Sequence, residues 1–328
     1  MLRRGLASLA IFIMLSTSVA FAAVQTRRVT FENEGDILVG TLYTPAGRPI
    51  EERLPGVIVT GAWTSIKEQM SGRYAREMAE RGFAALAFDF RGWGQSGGRV
   101  RFKEEPSAKT SDVLAAAVFM TTLPEVDSAR IFGLAICASA GYMAAAASVS
   151  SNIVSVGLVA PWLQDAEITR QVYGGEDGVA GLIEISRKAE ASEASGKPRV
   201  IIAASSTDRS ALMFKIPYYT ETDRGLIPEY DNRFNLASWE PWLTYDSVAI
   251  AERLHKPTLI VHSEAAAVPE GAHAFLDRLP AQSSELWLDG VSQFDFYDRP
   301  APVTAAADAV AKHFKRFRGA VAAMGRLP

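Results

Sequence analysis

The chain has 328 residues and a formal net charge of −3, from 34 Lys and Arg against 37 Asp and Glu. Hydrophobic residues make up 48% and charged residues 22%, an ordinary globular balance in a chain long enough for one large α/β domain or two small ones. The slight acidity leaves no electrostatic footprint for nucleic acid or an anionic membrane, and a single cysteine excludes an intramolecular disulfide and any cysteine-cluster metal site.

The first residues read as a targeting segment. Arg3 and Arg4 form a positive n-region, Leu6 to Val19 a short apolar h-region, and Ala20-Phe21-Ala22 a small-x-small cleavage site. The apolar run is short for a membrane span. Residues 1–22 are therefore expected to be a cleaved signal peptide. The mature chain, 23–328, is expected in the periplasm or secreted, with no stable membrane insertion. In an oxidising compartment an exposed thiol invites side reactions, so the lone cysteine is expected to be either buried or functional.

Arg28 to Asn33 and Ile37 to Tyr43 alternate apolar and polar residues around Glu34-Gly35-Asp36, which predicts a β-hairpin. Leu54 to Val59 is a mostly apolar run of the kind a buried parallel strand shows. Ser71 to Arg81 predicts a helix, and Phe83 to Phe88 a second buried strand running into the Gly-rich loop Asp89 to Gly98. That loop lacks the Lys-Ser/Thr ending of a phosphate-binding loop. Ser111 to Leu123 predicts a helix stopped by Pro124, and Ile153 to Val159 a further strand. Strands alternating with helices argue for a mostly parallel sheet covered on both faces, with ligands at the carboxyl ends of the strands. From Trp162 to Asp246 the alternation lapses. This stretch, with a helical segment around Val179 to Ala194, is read as a largely helical cap over about 162–246. Its aromatic residues divide between the cap's own core and a substrate pocket. The sheet then resumes with Pro257 to Val261, a helix from Pro269 to Leu279, a last strand Glu285 to Leu288, and a C-terminal amphipathic helix through Val303, Val310 and Phe317.

The stretch Ala129 to Gly141 is the most informative. An apolar strand-like run through Ile131, Phe132, Leu134 and Ile136 breaks into small residues and enters the helix former Tyr142 to Ala147. Strand, sharp turn and helix make a nucleophile elbow, with Cys137 at the tip and small Ala135 and Ser139 two residues to either side. The helix N-terminus behind the tip is expected to ease loss of the thiol proton. The N–H of Ala138 is expected to supply half of an oxyanion hole. The other half is placed in the loop after the first parallel strand, at the N–H of Ala62 or Trp63.

On these residues the chain resembles an α/β-hydrolase, in particular the dienelactone-hydrolase-like and polyketide thioester hydrolase/transferase group. The resemblance lies in Phe88 to Gly97, Ile136-Cys137-Ala138, Lys256 to Ser263 and Gln293 to Asp298, and spans most of the mature chain. It implies the α/β-hydrolase fold with the cap inserted after the strand ending near Pro161. It also implies a nucleophile at the elbow, an acid after the strand ending near His262, and a histidine after the last strand. Cys137 takes the first place, with Ser139 as fallback. Glu264 is the nearest carboxylate for the second, although the usual position lies closer to Ala266. Gln293 stands where the histidine belongs. Glutamine carries no proton at neutral pH, which suits a cysteine better than a serine because a thiol ionises more readily. A thiolate leaving group needs no protonation, so thioesters and activated esters are favoured over amides.

The remaining candidates follow from position. His262 ends a strand near the active face and is weighed as a substitute base; it is more often structural there. Asp165 and Asp295 are carboxylates on the same face, either catalytic or, respectively, a helix cap and a turn residue. Trp162, Asp165, Tyr218 and Tyr219 are expected to line the substrate pocket. No cofactor or metal is expected. The expected function is cleavage of an acyl ester or thioester through Cys137, acting on a small-molecule acyl substrate. The alternatives are a catalytically silent ligand-binding protein, or an acyl transferase or lyase using the oxyanion hole and a carboxylate.

Overall fold

The structure is a computed structural model and describes residues 23–49 and 51–317; the proposed signal segment, 1–22, lies outside the described residues. The chain opens with a hairpin, β1 (Val24–Asn33) and β2 (Asp36–Pro45), turning at Glu34-Gly35. Then come β3 (Leu54–Thr60), α1 (Met70–Glu80), β4 (Ala84–Phe88), α2 (Pro106–Thr122), β5 (Val126–Ile136), α3 (Ser139–Val149) and β6 (Ile153–Val159). Helix α2 begins five residues before the expected Ser111, because Pro106 occupies its first turn, where a missing N–H costs nothing.

Between β6 and the next strand of the main sheet lie α4 (Ala166–Val172), α5 (Gly175–Ala194), β7 (Val200–Ile202), β8 (Ala204–Ser205), β9 (Met213–Phe214), α6 (Pro217–Thr220), β10 (Arg233–Asn235) and α7 (Trp239–Leu243). Sequence reasoning expected a largely helical insertion here and missed two small sheets, β7 with β10 and β8 with β9. These strands are two or three residues long, too short for an alternation pattern to register. The chain closes with β11 (Thr258–His262), α8 (Pro269–Arg278), β12 (Ser283–Trp287), α9 (Asp295–Asp298) and α10 (Pro300–Arg316).

The main sheet has eight strands in the order β1-β2-β4-β3-β5-β6-β11-β12. Only the β1-β2 and β2-β4 pairs are antiparallel; the rest are parallel. Its central strands are apolar almost throughout because helices cover both faces: Val57, Ile58, Leu86, Leu134 and Ile260 are wholly buried. Each such side chain contributes about 1.5–3 kcal/mol over an exposed one. Helix α3 lies in the interior, which is why it carries alanine where a surface helix would carry charge. Among the described residues no helix is long and apolar enough to cross a membrane.

His262 closes β11 with its ring fully buried and tilted against Trp287 at 5.4 Å between centroids. Among the described residues neither ring nitrogen has a well-formed hydrogen-bond partner, and burial pushes its pKa down from 6.5 to about 4. The unfolded chain therefore takes up a proton, as pH falls through about 6.5, that the folded chain refuses until about pH 4. Stability from this group is complete above the higher value and is lost toward the lower one. Urea unfolding at pH 7 and pH 4 is expected to show a loss of a few kcal/mol in the native protein that His262→Gln reduces; equal losses in the two proteins would refute the assignment.

Candidate active site

At the end of β5 the backbone turns sharply. Cys137 has φ 61°, the left-handed region that a side chain enters only under strain. Three hydrogen bonds hold it there. Its N–H donates to Val159 O at 3.1 Å, and its carbonyl accepts from Ala140 N and Trp162 N, each at 3.0 Å. Ala138 follows in helical conformation as the residue before α3. The elbow expected at this position is present in the geometry.

The side chain of Cys137 is 6% exposed, at one end of a cavity of about 760 Å³. Three donors face its sulfur, the hydroxyl of Tyr297 and the backbone N–H groups of Ala138 and Trp63, with the amide of Gln293 close behind Tyr297. Each favours the thiolate, but burial outweighs them and pushes the thiol above its ordinary value. This corrects the expectation that the helix N-terminus would lower it. The loss of solvation on burial dominates, and the sequence does not display how much solvent is excluded.

Trp63, not Ala62, is the loop residue that meets the sulfur. The N–H of Ala62 faces Met70 Sδ at 3.5 Å, and its carbonyl accepts from Ser65 Oγ at 2.6 Å. The loop is held from below by buried charge. Asp89 accepts from both the backbone N–H (2.7 Å) and Nζ (2.8 Å) of Lys67. Glu104 accepts from Lys109 Nζ at 2.7 Å, from Tyr142 Oη at 2.8 Å and from Thr64 N at 3.5 Å. From above, the Trp63 indole packs on Phe234, Trp239 and Trp242, with centroids 5.0–5.7 Å apart.

Gln293 is 6% exposed and fully engaged. Its Oε1 accepts from Ala267 N at 3.1 Å, and its Nε2 donates to Ala160 O at 2.9 Å and to Tyr297 Oη at 3.2 Å. Tyr297 is a residue that sequence reasoning missed. It stands four positions after Gln293, the spacing that places two side chains on one side of a helical turn, and that spacing was the available signal. Burial and the neighbouring sulfur raise its pKa far above the ordinary value, so it is neutral and donates.

Ser139 and the candidate carboxylates fall outside the cavity. Ser139 is wholly buried, accepts from Thr60 Oγ1 at 2.9 Å and donates to Ile136 O at 3.1 Å. It fastens the elbow to β3 and is not a fallback nucleophile. Glu264 is exposed and paired with His273 at 2.9 Å, away from the cavity lining. Asp295 accepts from Ser292 Oγ at 2.6 Å and Ser292 N at 3.1 Å, ordering the turn that leads into α9. Asp165 caps α4, accepting from Glu167 N and Ile168 N. Trp162 and Tyr219 line the cavity, whereas Tyr218 stands behind them, edge-on to Tyr219 and Tyr297. Among the described residues neither a carboxylate nor an imidazole is among the lining side chains, His262 included. Among the described residues no group of His, Cys, Asp and Glu is arranged to hold a metal ion.

No family model matches the chain. It is 33% identical over 302 residues to the uncharacterized protein PA2218 of Pseudomonas aeruginosa, a span of 85% of this chain and 77% of that protein. It is 29% identical to the uncharacterized protein YcjY of Escherichia coli, over 89% of this chain and 99% of that one. A shorter stretch, 40% of this chain and 43% of the other, is 30% identical to the polyketide transferase claH of Penicillium crustosum. Among solved structures, PA2218 superposes with a TM-score of 0.79 at 27% identity, covering 94% of this chain and 99% of that one. The α/β-hydrolase GrgF of Penicillium sp. sh18 gives 0.74 at 19% identity (89% and 98% covered). The dienelactone-hydrolase-like phosphotriesterase P91 from metagenomic libraries gives 0.53 at 13% (90% and 99% covered).

The raised thiol leads to a definite pH profile. Alkylation of Cys137 by iodoacetamide is expected to rise with pH and reach half its limit above the free-cysteine value of about 8.5. Tyr297→Phe, which removes one donor to the thiolate, is expected to move the midpoint higher still. A midpoint well below the free-cysteine value would overturn this account of the site.

Proposed function

The chain belongs to the α/β-hydrolase superfamily, in its dienelactone-hydrolase-like and polyketide thioester hydrolase/transferase group, and on that premise we propose that it cleaves an acyl thioester or activated ester through a covalent intermediate on Cys137. The observation that carries this reading is the convergence of three donors, Tyr297 Oη and the N–H groups of Ala138 and Trp63, on one sulfur at the floor of a large apolar cavity. Two of them, Ala138 N–H and Trp63 N–H, are backbone groups without conformational freedom, the kind of donor that stabilises an oxyanion at no cost in reorganisation.

On this proposal the substrate carbonyl carbon approaches the sulfur with its oxygen toward those two N–H groups. The S–C bond forms and negative charge collects on the oxygen. The intermediate then collapses with cleavage of the bond to the leaving thiolate. The proton that Cys137 gives up passes to Tyr297 Oη as the tyrosine hands its own proton to the leaving sulfur. Gln293, locked between Ala160 O and Ala267 N, holds Tyr297 without exchanging a proton itself. The acyl group then passes to water or to an acceptor. With no carboxylate or imidazole lining the cavity to activate water, this second half is the slow one. The same lining leaves a carboxylate-driven lyase or transferase without its base. The neutral resting thiol favours one alternative, a silent member that binds ligand in the cavity without turning it over.

A rapid-mixing experiment with a chromogenic thioester separates these. The expected result is a burst of one equivalent of thiol per protein followed by slow turnover, with an acyl adduct on Cys137 in the mass spectrum. Cys137→Ala is expected to abolish both, and Tyr297→Phe to slow the burst by about a hundredfold, the scale of one proton-transfer group. Binding without a burst would select the silent alternative. Export is part of the proposal and rests on the pattern of residues 1–22; mature protein whose N-terminal sequence begins near Ala23 would support it, and retention of Met1 would refute it.

A further inference from the structure

The cavity that ends at Cys137 is not uniformly apolar. Its inner wall is aromatic, with Trp162, Trp239, Trp242 and Phe294. Its outer lip is built by β7, β8 and β9, laced together by Leu212 N to Ile202 O, Met213 N to Ala203 O and Lys215 N to Ser205 O. Here the character changes. Arg199, just before β7, is exposed and lines the cavity. Arg209 and Lys215, also exposed, both lie over the ring of Phe214, another lining residue, at 5.2 and 5.3 Å from its centroid.

Among the described residues none of these three cations is ion-paired, and the neighbouring carboxylates explain why. On α5, whose Leu182 and Ile185 line the same cavity, Glu184 is paired with Lys188 and Glu190 with Lys103. Glu240 takes Arg187. Asp208, the carboxylate on the lip itself, accepts from Ser210 N at 2.8 Å and Ser210 Oγ at 2.7 Å. One unpaired guanidinium in the cavity lining, with two further unpaired cations over the ring of the lining residue Phe214, gives this side of the cavity a positive character that the chain's net charge of −3 does not predict.

We propose that this lip is an anion subsite and that the cavity takes an amphiphile. Its apolar chain lies along the aromatic wall toward Cys137, and a carboxylate or phosphate at its other end engages Arg199, with Arg209 and Lys215 as flanking cations. A guanidinium presents paired N–H donors that match either anion, and the aromatic wall supplies area for the chain. That the chain is an acyl group rests on the function proposed above; the anion subsite does not.

The test uses occupancy of the cavity, read as protection of Cys137 from iodoacetamide, so that no turnover is required. The probes are octyl phosphate, octanoate and octanol, which share a chain and differ in the head. The anionic probes are expected to protect at concentrations about tenfold below octanol, the scale of one charge-assisted contact. That advantage is expected to shrink in high salt. Arg199→Ala, with each protein referred to its own unprotected rate, is expected to remove most of the advantage while leaving the octanol midpoint in place. The stronger of the two anionic probes identifies phosphate or carboxylate as the preferred head. Equal midpoints for all three probes, no protection by any of them, or an advantage that survives Arg199→Ala together with Arg209→Ala and Lys215→Ala would each overturn the proposal. A missing thiol burst alongside intact anionic protection would sink the acyl chemistry and leave the subsite standing.

Discussion

The arrangement depends on one strained turn. A residue at φ 61° with a side chain costs of order 1–3 kcal/mol and persists only where its surroundings over-determine it. At Cys137 the surroundings are the backbone hydrogen bonds to Val159, Ala140 and Trp162. Two of these reach outside the elbow, one to the end of the neighbouring strand β6 and one to the first residues of the segment that roofs the cavity. The turn that aims the sulfur therefore also fixes where the roof begins. The buried Ser139 hydroxyl adds a tie to Thr60 at the end of β3, so the three strand ends around the sulfur are held in register by groups with no part in bond making.

The second backbone donor needs a separate support, because a loop has no neighbouring strand to hold it. That support is buried charge. Lys67 with Asp89, and Lys109 with Glu104, sit almost wholly out of water beneath residues 61–67. A buried pair is poor evidence of net stability, yet removing one partner leaves an uncompensated charge and costs about 3–5 kcal/mol. The pairs therefore specify the loop's position more than they stabilise the fold. Lys109 also lies 4.8–5.8 Å from the ring centroids of Phe90, Trp93 and Tyr142, which lowers the cost of burying its charge. Above the loop, the stack of Trp63 on Trp239 and Trp242 makes the Trp63 loop and the roof a single packed unit.

The features legible in sequence were those written in local pattern. The hairpin alternation, the apolar runs of β3 to β6 and the small residues around Cys137 each occupy a few consecutive positions and follow from sheet and turn geometry. Gln293 was legible because a resemblance supplied the position it fills. What escaped is non-local. Ser139 looked like a spare nucleophile until its partner Thr60, 79 residues away, engaged it. Glu264 is a carboxylate near the active face in sequence order but is spent on His273 at the surface, whereas the helix cap at Asp165 is local and was one of its two sequence readings. The direction of the thiol shift depends on how much solvent the roof excludes, and no run of residues states that. Tyr297 falls between the two cases: its spacing from Gln293 is visible, but the meaning of that spacing depends on where the turn sits.

The absence of an imidazole from the cavity lining looks like a defect only if the site is measured against a serine mechanism. A serine attacking an ester needs a base to hold its proton across the reaction, because the alkoxide is far too basic to leave its proton behind unaided. Thiol attack on a thioester is nearly symmetric: the sulfur that arrives and the sulfur that departs have similar proton affinity, so the proton must be moved but need not be stored. A neutral tyrosine that donates to the sulfur, oriented by an amide that cannot ionise, suits moving a proton better than storing one. The same symmetry makes a buried, protonated resting thiol tolerable. Such a thiol is also a poor target for adventitious oxidation, because the thiolate is the form that reacts. On the proposed reading, the substitution of Gln293 at the histidine position narrows the chemistry toward activated acyl donors and leaves acylation feasible.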